Sequence, residues 1–208
     1  MPHPWFSIRI IHPNEDACAA LRSRTAQLPG VEIWCGRYEA LDAHDCFVTA
    51  GNAFGLMTAG IDAAIIAHFG RELMTRVQDH IMDAYLGEQP VGTAFLIETG
   101  EPERPWLCHA PTMRTPAAIV GTSHIYTATF AALVAIHRHN LRADRPIESV
   151  VLPAMGTGFG QVSHSECGRQ MAVAWSNYLR PPGRPNWDGI TKRERAICYD
   201  GDDKVVRL

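Results

Sequence analysis

Apolar positions along this chain switch repeatedly between a strand period and a helix period. Residues 6–11 form an apolar run that alternates at its start and reads as a buried strand, ended by His12-Pro13. Asn14 then offers a helix cap, with Ala17, Leu21 and Leu28 roughly on one face and Pro29-Gly30 as the stop. Residues 31–35 and 45–49 predict two more strands, the second running into Ala50-Gly51-Asn52. From Gly60 the period becomes helical through Ile61, Ile65 and Phe69, Gly70 interrupts it, and Leu73, Val77 and Ile81 mark a longer helix ending near Gly87. Residues 93–98 and 106–110 predict strands joined by a Gly/Pro turn. Residues 122–140 predict a helix with Tyr126, Phe130, Leu133, Val134 and His137 as its stripe.

A further strand over 149–152 precedes a helix that starts at Ser163, where Ser163 and Glu166 fit a capping box ahead of Cys167, Met171, Ala174, Trp175 and Tyr178. Pro181-Pro182-Gly183 ends it, and the polar tail carries one strand-like patch, Ile197-Cys198-Tyr199. Strands alternating with helices, with two strands adjacent near 93–110, predict a three-layer α/β/α fold on a mixed, mostly parallel sheet. No repeat or linker divides it, so one domain is expected over 1–208, with a core at about 5–179 and a C-terminal extension at 180–208.

Composition narrows the function classes. The 208 residues carry a formal charge of −3, which supplies no global field toward nucleic acid or an anionic membrane. No apolar run approaches spanning length, and Met1-Pro2-His3-Pro4-Trp5 lacks the regions of a signal peptide, so a soluble cytoplasmic chain is expected. The six cysteines are scattered without paired spacing, which favours reduced core thiols over a zinc site.

The candidate chemistry lies in two loops. In the stretch 151–160 an apolar strand ends in a turn containing Gly156, Thr157, Gly158, Phe159 and Gly160, with a helix to follow. Glycines let bare N–H groups approach an anion, and a helix N-terminus adds partial positive charge. The stretch 49–62 is equally rich in small residues and also precedes a helix. On one sheet edge, two such loops could grip a diphosphate; a purely structural turn is the alternative for each. The G-x-G-x-G spacing lacks the third glycine of a dinucleotide fingerprint, and no P-loop lysine, G-x-S-x-G elbow or H-E-x-x-H is present. His137 and His139 are two apart on a helix and point to different faces.

Asn52 and Asp62 are the polar residues of interest. Asn52 can bind sugar hydroxyls through its amide or serve as a left-handed turn residue. Asp62 can favour its helix dipole or orient a water beside a ligand. His109, after Leu107-Cys108, reads as a core histidine more readily than as a catalyst.

Taken in order, these segments resemble the macrodomain family over about residues 5–179. Asp45-Cys46-Phe47-Val48-Thr49-Ala50-Gly51-Asn52 is similar to the strand and loop written D-A-I-V-N-A-A-N, and Ala59-Gly60-Ile61-Asp62-Ala63-Ala64-Ile65 to the G-G-V-D-x-A-I helix start. Pro90-Val91-Gly92-Thr93-Ala94 resembles P-x-G-x-A, His109-Ala110-Pro111 a shortened H-x-x-G-P, and Pro153-Ala154-Met155-Gly156-Thr157-Gly158-Phe159-Gly160 the P-A-I-S-T-G-I-Y-G loop. The Asn-Ala-Phe-Gly-Leu-Met form of the first loop resembles a bacterial and phage branch.

The resemblance implies binding of ADP-ribose or a derivative, free or on an ADP-ribosylated protein, by a monomer without metal or cofactor. Hydrolysis of an ADP-ribosyl linkage, or of O-acetyl-ADP-ribose, is one implied activity; binding alone is the other. By position, Asn52 would hold the distal ribose and Asp62 would activate or orient water. Ala59, Gly60 and Ile61 would offer backbone N–H groups to the diphosphate, with Gly51 also in contact with the ligand. Gly156, Thr157, Gly158 and Gly160 would close the second, with Phe159 near the distal ribose. The sequence departs from the family at Gly36-Arg37-Tyr38, where an Asp usually receives the adenine amino group. Arg37 cannot accept a hydrogen bond. Adenine would then need Asn14 or Asp16, or a different base would bind. Thr49 replaces the first Asn of N-A-A-N, and Leu56-Met57-Thr58 makes the glycine loop bulkier, which would restrict the groups that fit. A chain that kept the fold but lost its ligand is the third expectation.

Overall fold

The computed structural model describes residues 6–198, in which six strands make one sheet. The strands are β1 (Ser7–His12), β2 (Val31–Cys35), β3 (Cys46–Thr49), β4 (Phe95–Glu98), β5 (Trp106–His109) and β6 (Ser149–Pro153). Their spatial order is β2-β1-β6-β3-β5-β4, with every pairing parallel except β4 against β5. The expected mixed, mostly parallel sheet is therefore present, and the antiparallel pair is the one that the adjacent strands near 93–110 foretold.

Side chains leave each strand alternately to the two faces. Phe47, Leu107 and Val151 pack with Ile65, Leu73, Val77 and Ile81 of α2 (Gly60–Phe69) and α3 (Arg71–Tyr85). Val48, Cys108, Val150 and Leu152 pack on the opposite face against Leu21, Leu133 and Trp175. These belong to α1 (Glu15–Thr25), α4 (His124–Asn140) and α5 (His164–Leu179). Burial on both faces explains why the strands read as near-continuous apolar runs. Cys18, Cys46, Cys108 and Cys167 are buried free thiols, while Cys35 and Cys198 are half-buried and free.

The caps follow the sequence. The Asn14 side chain accepts from Ala17 N–H at 2.9 Å and Ser163 Oγ accepts from Glu166 N–H at 3.2 Å. The Glu166 carboxylate turns to Arg169 and Gln170.

Three expectations are corrected. The first helix ends at Thr25, so Leu28 packs on the core from the following turn, with its N–H bonded to Thr25 O. The buried face of α4 is Ile125, Ala128, Thr129, Ala132, Leu133 and Ile136; Tyr126 and Phe130 stack on each other along its flank. That face is rich in small residues, which the larger aromatic neighbours mask in the sequence. The strand-like patch in the tail is instead the end of α6 (Trp187–Ile197), capped by Asn186 and docked where Arg169 donates to the carbonyls of Ala196 and Cys198. Tyr199 lies outside the described residues.

Candidate functional site

Because β6 and β3 are neighbours and parallel, the loops leaving their C-terminal ends flank one crevice, the usual ligand position in an α/β sheet. A cleft of about 640 Å³ lies there, lined by the segments around 50–62 and 153–160, by Thr112 and Met113, and by the ends of β1 and β2.

The first loop wraps Asn52. Its Oδ1 accepts from Phe54 N–H at 3.1 Å and Leu56 N–H at 3.4 Å, and its Nδ2 donates to Leu56 O at 2.9 Å. Gly51 O receives Thr112 N–H and Met113 O receives Ala53 N–H, which lashes the loop to the chain beyond β5. Asn52 does not adopt positive φ, so its turn role is side-chain bonding and not a left-handed backbone. One amide hydrogen is left for a ligand. Met57 turns away from the cleft into the core, with Leu56 and Thr58 lining the wall instead, so the extra bulk expected of this loop is mostly removed from the site.

The loop then enters α2 through Ala59, which provides no side-chain cap, and Gly60, whose φ of 58° favours glycine. The N–H groups of Ala59, Gly60, Ile61 and Asp62 consequently have no acceptor among the described residues. The second loop behaves alike. Gly156 O accepts from Val162 N–H and Gly158 O from Gln161 N–H. The N–H groups of Thr157, Gly158, Phe159 and Gly160 have no acceptor among the described residues. A Cβ on Gly160 would collide with the Gly156 carbonyl, so the tight turn requires glycine there. Phe159 stands on this loop 61% exposed at the cleft mouth.

Asp62 also lines the cleft, but its Oδ1 is engaged by the hydroxyl of Thr49, a fully buried residue at the end of β3. Burial pushes this carboxyl up to about 6, against the opposing effect of the Thr49 bond. Thr49 is therefore the fixed partner of Asp62, a pairing hidden in the sequence because the two are distant along the chain.

At the far end lie His12, Pro13, Gly36, Arg37 and Glu39. His12 Nδ1 accepts from Asn14 N–H at 3.1 Å, so its neutral ring carries the proton on Nε2. Burial and the neighbouring His164 hold His12 below its ordinary value. Asn14 and Asp16, the expected acceptors at this end, do not line the cleft, Asn14 being used as the cap of α1. Glu39 does line it, and sequence reasoning passed over it.

Beneath Gly51, His109 and Gln89 are fully buried and bonded to one another at 2.6 Å. His109 is thus a core histidine, as expected, but Gln89 carried no sequence signal beyond being a polar residue in a Gly-Glu-Gln-Pro turn.

The sheet order and the two loops define an α/β protein with a cleft at the C-terminal sheet edge, lined by backbone N–H groups that have no acceptor among the described residues. The Macro domain family model matches residues 48–171, and the chain belongs to that family. It is 37% identical over 124 residues to an uncharacterized protein of Aeropyrum pernix, across 55% of this chain and 62% of that relative's length. The macrodomain of Mycobacterium tuberculosis DarG has a similar fold, with a TM-score of 0.57, 21% identity, and coverage of 69% of this chain and 88% of that one. Thermosipho africanus DarTG in complex with ADP-ribose is similar at a TM-score of 0.52 and 13% identity, covering 83% of this chain and 50% of that one. Among the described residues no helix is long and apolar enough to cross a membrane, and no group of His, Cys, Asp and Glu is arranged to hold a metal.

Proposed function

We propose that this chain binds ADP-ribose, free or attached to a protein, with the diphosphate between the two loops. One observation carries the reading: two sets of backbone N–H groups, at 59–62 and 157–160, lie along one cleft without acceptors among the described residues. Such donors, one set at a helix N-terminus, suit a dianionic bridge. The ADP-ribose complex of the Thermosipho africanus protein supports the choice of ligand. The remaining amide hydrogen of Asn52 can donate to a ribose hydroxyl. Glu39 supplies, at the opposite end, the carboxylate that can accept from an adenine amino group, the role that Arg37 cannot fill. Calorimetric titration with ADP-ribose, AMP and NAD tests this. Micromolar or tighter binding selective for ADP-ribose is expected; equal or absent heats for the three would sink it.

A second reading, hydrolysis at the anomeric carbon of the distal ribose or of an ester on that ribose, is favoured by Asp62. It is a cleft carboxyl raised to about 6, close to the range in which a base can accept a proton from water at neutral pH. Its Oδ2 has no partner among the described residues, while Oδ1 is fixed by Thr49. Asp62→Asn should then abolish turnover of an ADP-ribosylated peptide or O-acetyl-ADP-ribose while ADP-ribose affinity stays within about threefold. Unchanged turnover would remove Asp62 from the chemistry.

A further inference from the structure

The buried polar pair beneath the first loop meets that loop at a tight point, Gly51. Gln89 Nε2 donates to Thr93 O at 3.2 Å and to His109 O at 3.4 Å, which fixes the amide orientation. Gln89 Oε1 therefore faces His109 Nδ1, and the imidazole must donate from Nδ1. Nε2 is then bare. It is buried, has no hydrogen-bond partner among the described residues, and lies where a Cβ on Gly51 would come within 2.6 Å of it. The Gln89 backbone N–H binds Ala53 O at 2.8 Å, so the same residue holds the loop on the other side of Asn52. Phe95 packs on the imidazole at 5.5 Å and keeps it from swinging away.

We propose that His109 and Gln89 are positioning residues: a neutral imidazole peg, locked from below by Gln89, sets the height of Gly51 and so aims Asn52 at the ligand. This rests on the ADP-ribose reading only for the identity of the probe. The peg accounts for glycine at position 51 without any left-handed backbone, because the space a side chain would need is taken by Nε2. Protonating Nε2 would place an N–H against Gly51 with no acceptor, in keeping with a histidine that burial holds down at about 3.

The test combines a spectrum and a steric swap. In the unaltered chain, long-range ¹H–¹⁵N spectra should show the His109 Nδ1–H tautomer, with Nε2 unprotonated down to pH 5. An Nε2–H tautomer, or a cation at pH 6, would overturn the peg whether or not ADP-ribose binds. Gly51→Ala should raise the ADP-ribose Kd at least tenfold. Adding His109→Ala opens the space for the new methyl group and should recover at least threefold of that loss. A purely structural role for His109 predicts instead that the double variant binds no better than Gly51→Ala and is less stable than either single variant. Wild-type affinity in Gly51→Ala, or no recovery in the double variant, would overturn the proposal. Failure of the unaltered chain to bind ADP-ribose would count against the functional reading while the imidazole spectrum still decides the peg.

Discussion

At the scale of single residues, Asp62 and Thr49 hold the most chemistry. A carboxyl in the unfolded chain ionises near 3.8, whereas buried Asp62 does so at about 6, so between those values the folded chain holds the extra proton. Stability therefore falls as pH rises through that window, and above it the full cost of an ionised buried acid is present. Asp62→Asn should stabilise the protein at pH 7.5 by on the order of 2–3 kcal/mol and change little at pH 3.5. Denaturant unfolding at the two pH values measures this, and an equal effect at both would refute it. The positions of Asn52 in a loop and of Asp62 in the first turn of a helix were legible from the sequence, because loop and helix-start patterns mark them. Their partners were not. Thr49 and Asp62 are thirteen positions apart and His109 and Gln89 twenty, and only the packing of helix and loop on the strand ends brings each pair together.

At the scale of elements, periodicity and capping carried the reading where both agreed. β2 and β6 and the starts of α1, α2 and α5 fall close to where strand runs, Asn14, Gly60 and Ser163 place them. The reading failed where hydrophobicity was weighed without packing. In α4 the aromatic residues outshone the alanines of the buried face, and in the tail Ile197-Cys198 was too short to separate a strand from a helix end.

Asp45 shows how an element end is pinned. Its Oδ2 accepts from Glu148 N–H, Ser149 N–H and Ser149 Oγ at 2.8–3.0 Å, tying the start of β3 to β6. Burial alone would raise this carboxyl, but these donors hold it below its ordinary value. Its contribution is thus present above the unfolded value and is lost as pH falls through the folded one. Asp45→Ala should cost about 1.5–3 kcal/mol at pH 7. Because Asp45 lies at the sheet end away from the cleft, ADP-ribose affinity should stay within twofold. Chemical denaturation alongside titration would expose a larger affinity loss, which would contradict that separation.

At the scale of the whole molecule, the parallel order of β1, β6 and β3 gathers three loop starts at one edge, and the sequence places runs of small residues in the loops after β3 and β6. Fold class was readable because strand and helix periods alternate along most of the chain. The pairing of β6 with β3, which makes two distant glycine loops face each other, follows from topology that local pattern does not encode.

The central claim is that these facing loops hold the diphosphate through backbone N–H groups. Amide ¹H–¹⁵N shift mapping during ADP-ribose titration tests it most directly. Saturable one-to-one shifts concentrated at residues 59–62 and 157–160 are expected, with smaller ones at Gly51 and Asn52. Shifts confined to other surfaces, or none at millimolar ligand, would contradict it.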